Sequence, residues 1–255
     1  MPELPDVEIF KRYLDSTALH QTIARTSVRD AGILGAVSAA KLQRALKNRR
    51  TSSTRRHGKF LFLSLDQKQW LVFHFGMTGF LRYFKNTADA PLHTRMLIAF
   101  KNGYHLAYDC TRKLGTVDLV DSTESFIEQR KLGPDALDPK LDLAAFRELL
   151  AQAHSGIKST LMNQKRIAGI GNVYSDEILF QAGIHPASKC QRLNKAAQKQ
   201  LHRAMTHTLT KAVDYRADPQ RFPDSYLLPH RTGDGKCPRC GRKLRRKTIS
   251  SRSAY

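Results

Sequence analysis

The second and third residues of the chain combine a nucleophile with a proton carrier. Removal of Met1, which a small second residue permits, would leave Pro2 with a free secondary amine. A terminal amine has a pKa of roughly 7.7 to 8.0, so a useful fraction is unprotonated near neutral pH. Such an amine can attack the anomeric carbon of a sugar and form an iminium, while Glu3 moves protons. The pair predicts covalent chemistry on a sugar, and the alternative is a proline that only stiffens the terminus.

A glycine-rich stretch in the second half of the chain has the features of an anion site. Gly169 and Gly171 permit a tight turn, and Asn172 is expected to cap the helix that follows. Backbone N–H groups at a helix start attract anions such as phosphate. Tyr174 and Glu177 are expected to support the turn.

The four cysteines fall into two kinds. Cys110 and Cys190 are isolated, whereas Cys237 and Cys240 form a C-x-x-C pair. In a reducing compartment such a pair favours metal or redox chemistry over a structural disulfide. His230 is a conceivable further ligand, although one His and two Cys do not complete a tetrahedral zinc site.

The charge of the chain points to a polyanionic partner. Lys and Arg number 43 against 22 Asp and Glu, for a net charge of +21 over 255 residues. Nucleic acid fits best, because neutralising phosphates releases counterions whatever the base sequence. A general RNA-binding protein would be equally basic, so charge alone does not separate DNA from RNA.

Hydropathy gives neither a membrane span nor a secretory signal. We therefore expect a cytoplasmic protein that makes no membrane contact. We also expect it to act as a monomer.

Two lobes are expected to position these groups. A helix is predicted over about residues 5 to 19, followed up to about residue 122 by short apolar segments separated by turn residues, a pattern typical of a β-sandwich or flattened barrel. The predicted strands include KFLFLSL, WLVFHF, RMLIAF and YHLAYD.

Helical spacing replaces this pattern after residues 133 to 140. The predicted helices are LAAFRELLAQA, STLMNQKRI, NVYSDEILFQAG and NKAAQKQLHRAMTHTLTKAV, followed by a loop at 216–236 and a basic hairpin. The expected fold class is α+β. We expect domains at 1–135, 136–225 and 226–255.

The order of motifs resembles the formamidopyrimidine-DNA glycosylase and endonuclease VIII family of base-excision repair enzymes. PELPDVE is nearly the amino-terminal signature of that family. The resemblance covers nearly the whole chain, through RRHGKFLF, HFGMTG, DCTRKLG, LGPDAL, IKSTLMNQKRIAGIGNVYSDEILFQAGIHP and CPRCG.

The resemblance implies a β-sandwich lobe, a helix-two-turn-helix lobe and a zinc finger, with damaged double-stranded DNA bound between the lobes. Pro2 would attack the sugar carbon, Glu3 would donate a proton, and Lys59 would assist β-elimination. Asp6 stands where many relatives have Glu, and Lys158 is expected to contact a phosphate.

Five further positions match residues that contact DNA in the family. Met77, Arg112 and Leu114 would fill the gap left by an extruded base, although Leu114 replaces a Phe of the purine-specific branch. His93 and Asn172 match other DNA-contacting positions.

The resemblance also implies a structural zinc ion held by Cys237 and Cys240. The family's second cysteine pair follows after about sixteen residues, which in this chain lies beyond Tyr255. Either the chain is cut short of that pair or this member lacks a normal zinc site. Arg252 occupies the finger-tip position from which relatives assist δ-elimination.

The function that the resemblance implies is a bifunctional DNA glycosylase and abasic-site lyase for oxidised purines such as 8-oxoguanine and formamidopyrimidines. Two alternatives are an endonuclease VIII-like activity on oxidised pyrimidines and a damaged-DNA-binding protein without turnover. Leu114 and the short 216–236 loop weaken the preference for purines.

Overall fold

A computed structural model describes residues 1–66, 68–249 and 251–255. This part of the chain forms two compact units. One unit contains residues 1–2 and 7–130, and the other contains residues 3–6 and 131–255.

The first unit is a β-sandwich. Within its described residues, β1 (Ile23–Val28), β6 (Thr94–Phe100), β7 (His105–Cys110) and β5 (Gly79–Phe84) form one antiparallel sheet in that order. The second antiparallel sheet has the order β2 (Thr51–His57), β3 (Phe60–Leu65), β4 (Trp70–His74) and β8 (Thr116–Val120). Side chains from both sheets share one core, among them Ile23, Ile98, Leu61 and Phe73. The predicted sandwich is confirmed.

Strands β3 and β4 are apolar on both faces because both faces are covered. Leu61 and Leu63 point into the sandwich core, whereas Phe62 and Val72 pack against Phe126 of helix α3 (Thr123–Gln129). A strand buried on two sides has no polar face, which is why the segment KFLFLSL lacks alternation.

The sequence pattern missed two helices of this unit, α3 and one nearer the amino terminus. Helix α2 (Ala39–Leu46) begins after Ser38, whose hydroxyl accepts the N–H of Lys41. Only Leu42 and Leu46 of this helix are buried apolar residues. Two apolar positions are too few for helical spacing to stand out from the surrounding strands. The predicted first helix is observed as α1 (Leu4–Thr17).

The second unit is helical and ends in a small hairpin. Its helices are α4 (Leu143–Ala151), α5 (Ile157–Met162), α6 (Asn172–Ala182) and α7 (Lys195–Asp214), and its strands are β9 (Lys247–Ile249) and β10 (Arg252–Ala254). The helices share a core to which Leu4 also belongs. Helix α5 ends five residues before the predicted helix STLMNQKRI does, because residues 163–167 form turns. The separation of residues 136–225 from residues 226–255 stays a prediction.

No helix in the described part of the chain is long and apolar enough to cross a membrane.

Candidate active site and nucleic-acid interface

The carboxylate of Glu3 lies at the amino terminus of α6. It accepts hydrogen bonds from the backbone N–H groups of Gly171 at 2.6 Å, Val173 at 2.9 Å and Tyr174 at 3.3 Å. The side chain is almost completely buried, with Glu3 only 1% exposed. A negative group at a helix amino terminus is stabilised by these donors and by the helix dipole. The residue that follows Pro2 is therefore fixed by three bonds.

This arrangement corrects the expectation of a phosphate site at the start of α6. Three of the backbone donors that would bind an anion are already taken by the carboxylate of Glu3. The cap prediction was also wrong. Gly171 occupies the cap position in extended backbone, and Asn172 is the first helical residue.

Asn172 is nevertheless unusual among the described residues. Its side-chain Oδ1 is buried and has no hydrogen-bond partner in this part of the chain. An unsatisfied buried oxygen is costly unless a ligand or water reaches it. The role of Asn172 in DNA binding stays a prediction.

The turn before α6 is held by a close backbone approach and by one side chain. The N–H of Leu4 donates to the carbonyl of Gly169 at 3.0 Å. Gly169 has a φ of +114°, and a Cβ placed there would lie 2.8 Å from Cβ of Leu4. Gln164 accepts from the N–H of Gly169 at 2.9 Å and donates to the carbonyl of Ile170 at 2.7 Å. Nothing in the sequence pattern marked Gln164, since it stands in a polar run with no distinctive spacing.

Glu177 supports a different segment from the one expected. Its carboxylate accepts from the backbone N–H groups of Leu227 at 3.1 Å and Leu228 at 2.7 Å. It therefore holds the segment after α7 and not the turn at Gly169–Gly171. Burial raises the pKa of Glu177 above its usual range.

Burial also shifts the pKa values of two groups close to Glu3. The pKa of Asp6 is raised to about 6, mainly by burial and further by the charge of Glu3. The pKa of Tyr174 is raised by burial and by the nearby carboxylates of Asp6 and Glu3. The Tyr174 hydroxyl therefore keeps its proton at neutral pH.

The structure contradicts the prediction that Lys158 binds a phosphate. Lys158 is 0% exposed, and its ammonium lies 2.5 Å from Oδ1 of Asp176. It also donates to the carbonyl of Ser253 at 2.7 Å. Because α5 packs this side chain inward against a carboxylate, its ammonium has no free face for a DNA phosphate. Burial lowers the pKa of Lys158, and the hydrogen bond to Asp176 opposes that shift.

Lys59 lies in the turn between β2 and β3 and is buried. It is close enough to His74 for its charge to act on that ring. The pKa of His74 is lowered to about 4, first by burial, then by the charge of Lys59 and then by that of Arg130. The imidazole is therefore neutral at physiological pH, and its Nδ1 accepts the N–H of Gly76 at 3.4 Å. The catalytic role of Lys59 stays a prediction.

Two neighbouring loops of the sandwich carry Met77, Arg112 and Leu114. All three side chains are exposed, Met77 by 41% and Leu114 by 52%. The N–H of Arg112 donates to the hydroxyl of Thr78 at 3.2 Å. A Cβ on Gly76, which has a φ of +56°, would collide with the backbone of Leu114. The predicted base-replacing residues are thus brought together on one surface.

His93 lies beside the same surface. It is half-buried immediately before β6, and its carbonyl accepts the N–H of Cys110 at 3.2 Å. Cys110 ends β7, so this bond connects His93 to the start of the loop that carries Arg112.

Arg252 is exposed at the first position of β10. It pairs with Ile249 across the antiparallel hairpin. Its catalytic role stays a prediction.

Family comparisons match both units. Residues 1–117 match the formamidopyrimidine-DNA glycosylase N-terminal domain, and residues 132–223 match the formamidopyrimidine-DNA glycosylase H2TH domain. The chain belongs to the formamidopyrimidine-DNA glycosylase family.

Curated relatives in the formamidopyrimidine-DNA glycosylase family span the full chain. The formamidopyrimidine-DNA glycosylase of Moorella thermoacetica is 34% identical over 96% of this chain and 94% of its own length. That of Herpetosiphon aurantiacus is 32% identical over 100% of this chain and 97% of its own.

Solved structures of the family have the same fold. The complex between Lactococcus lactis Fpg and DNA containing an abasic site has a TM-score of 0.89 at 27% identity. The complex of that protein with Fapy-dG-containing DNA has a TM-score of 0.90 at 27% identity. Each comparison covers 99% of this chain, and 96% and 97% of the respective relative.

The residues present do not fit the zinc site that the family resemblance implies. A structural zinc ion needs four ligands. Among residues 1–66, 68–249 and 251–255, no group of three or more His, Cys, Asp or Glu side chains is placed to hold a metal ion. Cys237 and Cys240 lie in one tight turn, and Nε2 of His230 pairs with the carbonyl of Asp224 at 2.8 Å.

Proposed function

We propose that the chain is a bifunctional DNA glycosylase and abasic-site lyase that removes oxidised purines from double-stranded DNA. The observation that carries this proposal is the fixation of Glu3 by three backbone N–H groups of the α6 amino terminus. Glu3 is covalently joined to Pro2, so the same bonds restrict where the nucleophilic nitrogen can go. The names of the curated relatives and the lesions in the related complexes support this choice.

The reaction begins with the nitrogen of Pro2 once Met1 has been removed. The unprotonated amine attacks C1′ of the damaged nucleotide, the glycosidic bond breaks, and the base leaves as an anion that takes a proton from water. The nitrogen then forms an iminium with the opened sugar. Glu3 lies one residue away, and its carboxylate takes the proton that the amine loses and returns it to the ring oxygen O4′ as the sugar opens.

Two eliminations follow from the iminium. Loss of a proton from C2′ breaks the C3′–O bond and expels the 3′ phosphate. We propose that Lys59 assists this β-elimination. Loss of a further proton from C4′ expels the 5′ phosphate and breaks the C5′–O bond, which we assign to Arg252. Water then releases the sugar remnant and regenerates the amine of Pro2.

The exposed loops of the sandwich provide the means to extract the base. Met77 and Leu114 expose apolar side chains to water, and burying them in the DNA stack would be favourable. Arg112 on the same surface adds a positive charge. Apolar wedges of this kind fill the stack when a base is turned out of the duplex. The net charge of +21 supplies affinity for the phosphate backbone. We place this activity in the cytoplasm, where bacterial DNA is found.

Borohydride trapping tests the covalent step. With a duplex that contains one abasic site, the wild-type protein should form a stable cross-link through the reduced iminium. Pro2→Gly should lose the cross-link, and the conservative change Pro5→Ala, one turn later and away from the terminus, should keep it. A wild-type protein that binds the duplex and yields no cross-link would identify a binding protein without turnover.

Intact-mass measurement adds an independent condition. The mature protein must lack Met1, because an amide nitrogen at position 2 is not a nucleophile. If the purified active protein retains Met1, the mechanism is wrong.

A panel of duplexes tests the lesion class. We expect faster excision of 8-oxoguanine and formamidopyrimidines than of oxidised pyrimidines. The reverse order would favour the endonuclease VIII-like activity, in keeping with the Leu at position 114.

A further inference from the structure

The C-terminal hairpin has too little structure to be rigid by itself. Strands β9 and β10 are three residues each, and isolated two-stranded hairpins are marginal even when longer. The hairpin nevertheless carries Arg252, to which the final elimination is assigned. Because the described residues do not fit a zinc site, the hairpin must be held by other contacts.

Three charged side chains of the helical unit, Lys158, Asp176 and Arg231, form what we call the Asp176 cluster. Asp176 binds the ammonium of Lys158 through Oδ1 at 2.5 Å and the guanidinium of Arg231 through Oδ2 at 2.9 Å. The side chains of Lys158 and Asp176 are fully buried, and that of Arg231 is mostly buried. Electrostatic attraction is strong in such surroundings, and so is the penalty for an unpaired charge.

Both cations of the Asp176 cluster also touch the second strand of the hairpin or the residue after it. The ammonium of Lys158 donates to the carbonyl of Ser253 at 2.7 Å. The guanidinium of Arg231 lies 4.9 Å from the ring centroid of Tyr255. Ala254 between them is only 1% exposed. The hairpin is thus fixed at Ser253, next to Arg252, and at Tyr255, three residues beyond Arg252.

We propose that the Asp176 cluster positions Arg252 and makes this positioning independent of bound metal. Lys158, Asp176 and Arg231 act as positioning residues, because none of them needs to touch DNA. The inference depends on the proposed lyase function. It assigns to side chains of this chain the task that four metal ligands would otherwise perform.

The ratio of elimination products tests the proposal. On an abasic-site duplex, β-elimination leaves a sugar remnant on the 3′ end of the nick, and δ-elimination leaves a phosphate, so the two products separate on a denaturing gel. Asp176→Asn and Arg231→Met should lower the yield of the δ product relative to the β product by about 10- to 100-fold, since a misplacement of 1 Å can cost that much. Arg252→Ala gives the reference value for complete loss of the arginine.

A matched control removes an ion pair elsewhere in the same unit. Lys211 and Asp214 pair at 3.3 Å on the exposed surface of α7. Asp214→Asn should leave the product ratio unchanged. Arg231→Lys, which keeps the charge, should restore part of the δ product that Arg231→Met loses.

Metal analysis supplies a second readout. The wild-type protein should contain far less than one zinc ion per chain, and a strong chelator should not change the product ratio. Stoichiometric zinc, or loss of the δ product on chelation, would overturn the proposal. It would also be overturned if Asp176→Asn and Arg231→Met retained the wild-type ratio.

Folding and function are controlled separately. Borohydride cross-linking depends on Pro2, so a variant that still cross-links at the wild-type rate is folded and its altered ratio reports on the hairpin. Should Asp176→Asn fail to fold, the variants of Arg231, which is less buried than Asp176, decide the outcome. Wild-type protein that does not cross-link refutes the proposed function itself, whereas a cross-linking variant with an unchanged ratio refutes only the role of the Asp176 cluster.

Discussion

The carboxylate of Asp6 accepts the backbone N–H of Glu3 at 2.8 Å. That N–H belongs to the peptide bond that joins Glu3 to Pro2. The two carboxylates therefore hold the residue next to Pro2 from two directions, Asp6 through the backbone of Glu3 and Glu3 through the amino terminus of α6. Asp6 has a raised pKa of about 6, because burial disfavours its charged form.

Replacing Asp6 by Asn should change how stability depends on pH. The carboxyl of the unfolded chain ionises near the ordinary aspartate pKa of 3.8, whereas that of the folded chain keeps its proton up to about pH 6. Ionisation thus favours the unfolded state, and stability falls as pH rises from about 4 to about 6. Asp6→Asn stays neutral and keeps an oxygen acceptor, so it should gain stability relative to wild type over this range. The gain is about 3 kcal/mol, at about 1.4 kcal/mol per pKa unit.

Urea unfolding of both proteins between pH 3.5 and 7.5 measures this effect. The difference in unfolding free energy should grow with pH up to about the raised pKa and then level off. Parallel curves for the two proteins would show that burial does not shift the pKa of Asp6.

His74 reports on the charge of Lys59. Its pKa of about 4 reflects burial first and the charge of Lys59 second. Lys59→Met should therefore raise the pKa of His74, as followed by the imidazole signals in an NMR titration. Arg130→Met is the matched control. It should raise the pKa of His74 less, because the charge of Arg130 lowers that pKa less than the charge of Lys59 does. An equal shift in both variants would place Lys59 farther from the ring than the structure does.

The depressed pKa of His74 also sets the sign of a second pH effect. The ring of the unfolded chain gains a proton near pH 6.5, whereas the folded chain excludes that proton down to about pH 4. The neutral ring therefore contributes stability that is present above about pH 6.5 and is lost as pH falls towards 4. His74→Phe should show a weaker loss of unfolding free energy across this window in the same urea series.

Gly169→Ala should destabilise the turn that holds the amino terminus. The new Cβ would have a positive φ and would lie 2.8 Å from Cβ of Leu4, so backbone or side chain must move. We expect a loss of about 2 to 4 kcal/mol, the sum of backbone strain and overpacking. Gly183→Ala is the control, because its φ is also positive, at +65°, but nothing lies within 4 Å of the added Cβ. Thermal unfolding should show the larger decrease for Gly169→Ala.

Met77→Ala and Leu114→Ala should slow base excision without changing stability. Both side chains are exposed, so their removal should change the unfolding free energy by less than about 0.5 kcal/mol. Excision from a duplex should slow by about tenfold or more, because the emptied stack is no longer filled and unstacking costs a few kcal/mol. Phe80→Ala removes another exposed apolar side chain and is expected to keep the wild-type rate. Single-turnover kinetics on a duplex with one 8-oxoguanine measures all three.

Local sequence patterns were enough to predict the β-sandwich and the helical unit, whereas Met77, Arg112 and Leu114 were singled out by the family resemblance. Alternating and continuous apolar segments, helical spacing and glycine turns are local signals that depend on a few neighbouring residues. The motif order added the family, which the domain matches confirm. Helix α2 escaped detection because it buries only Leu42 and Leu46.

The partner that each polar group takes follows from the three-dimensional fold and not from the local sequence. The α6 amino terminus and Lys158 both had plausible roles beside DNA phosphate when judged from the sequence. In the structure Glu3 occupies the helix amino terminus that a phosphate would need, and Lys158 is buried against Asp176. The partners of Lys158 are 18 and 95 residues away along the chain, and those of Glu3 about 170. Burial and pairing across such separations follow from the packing of the whole unit, which no local pattern encodes.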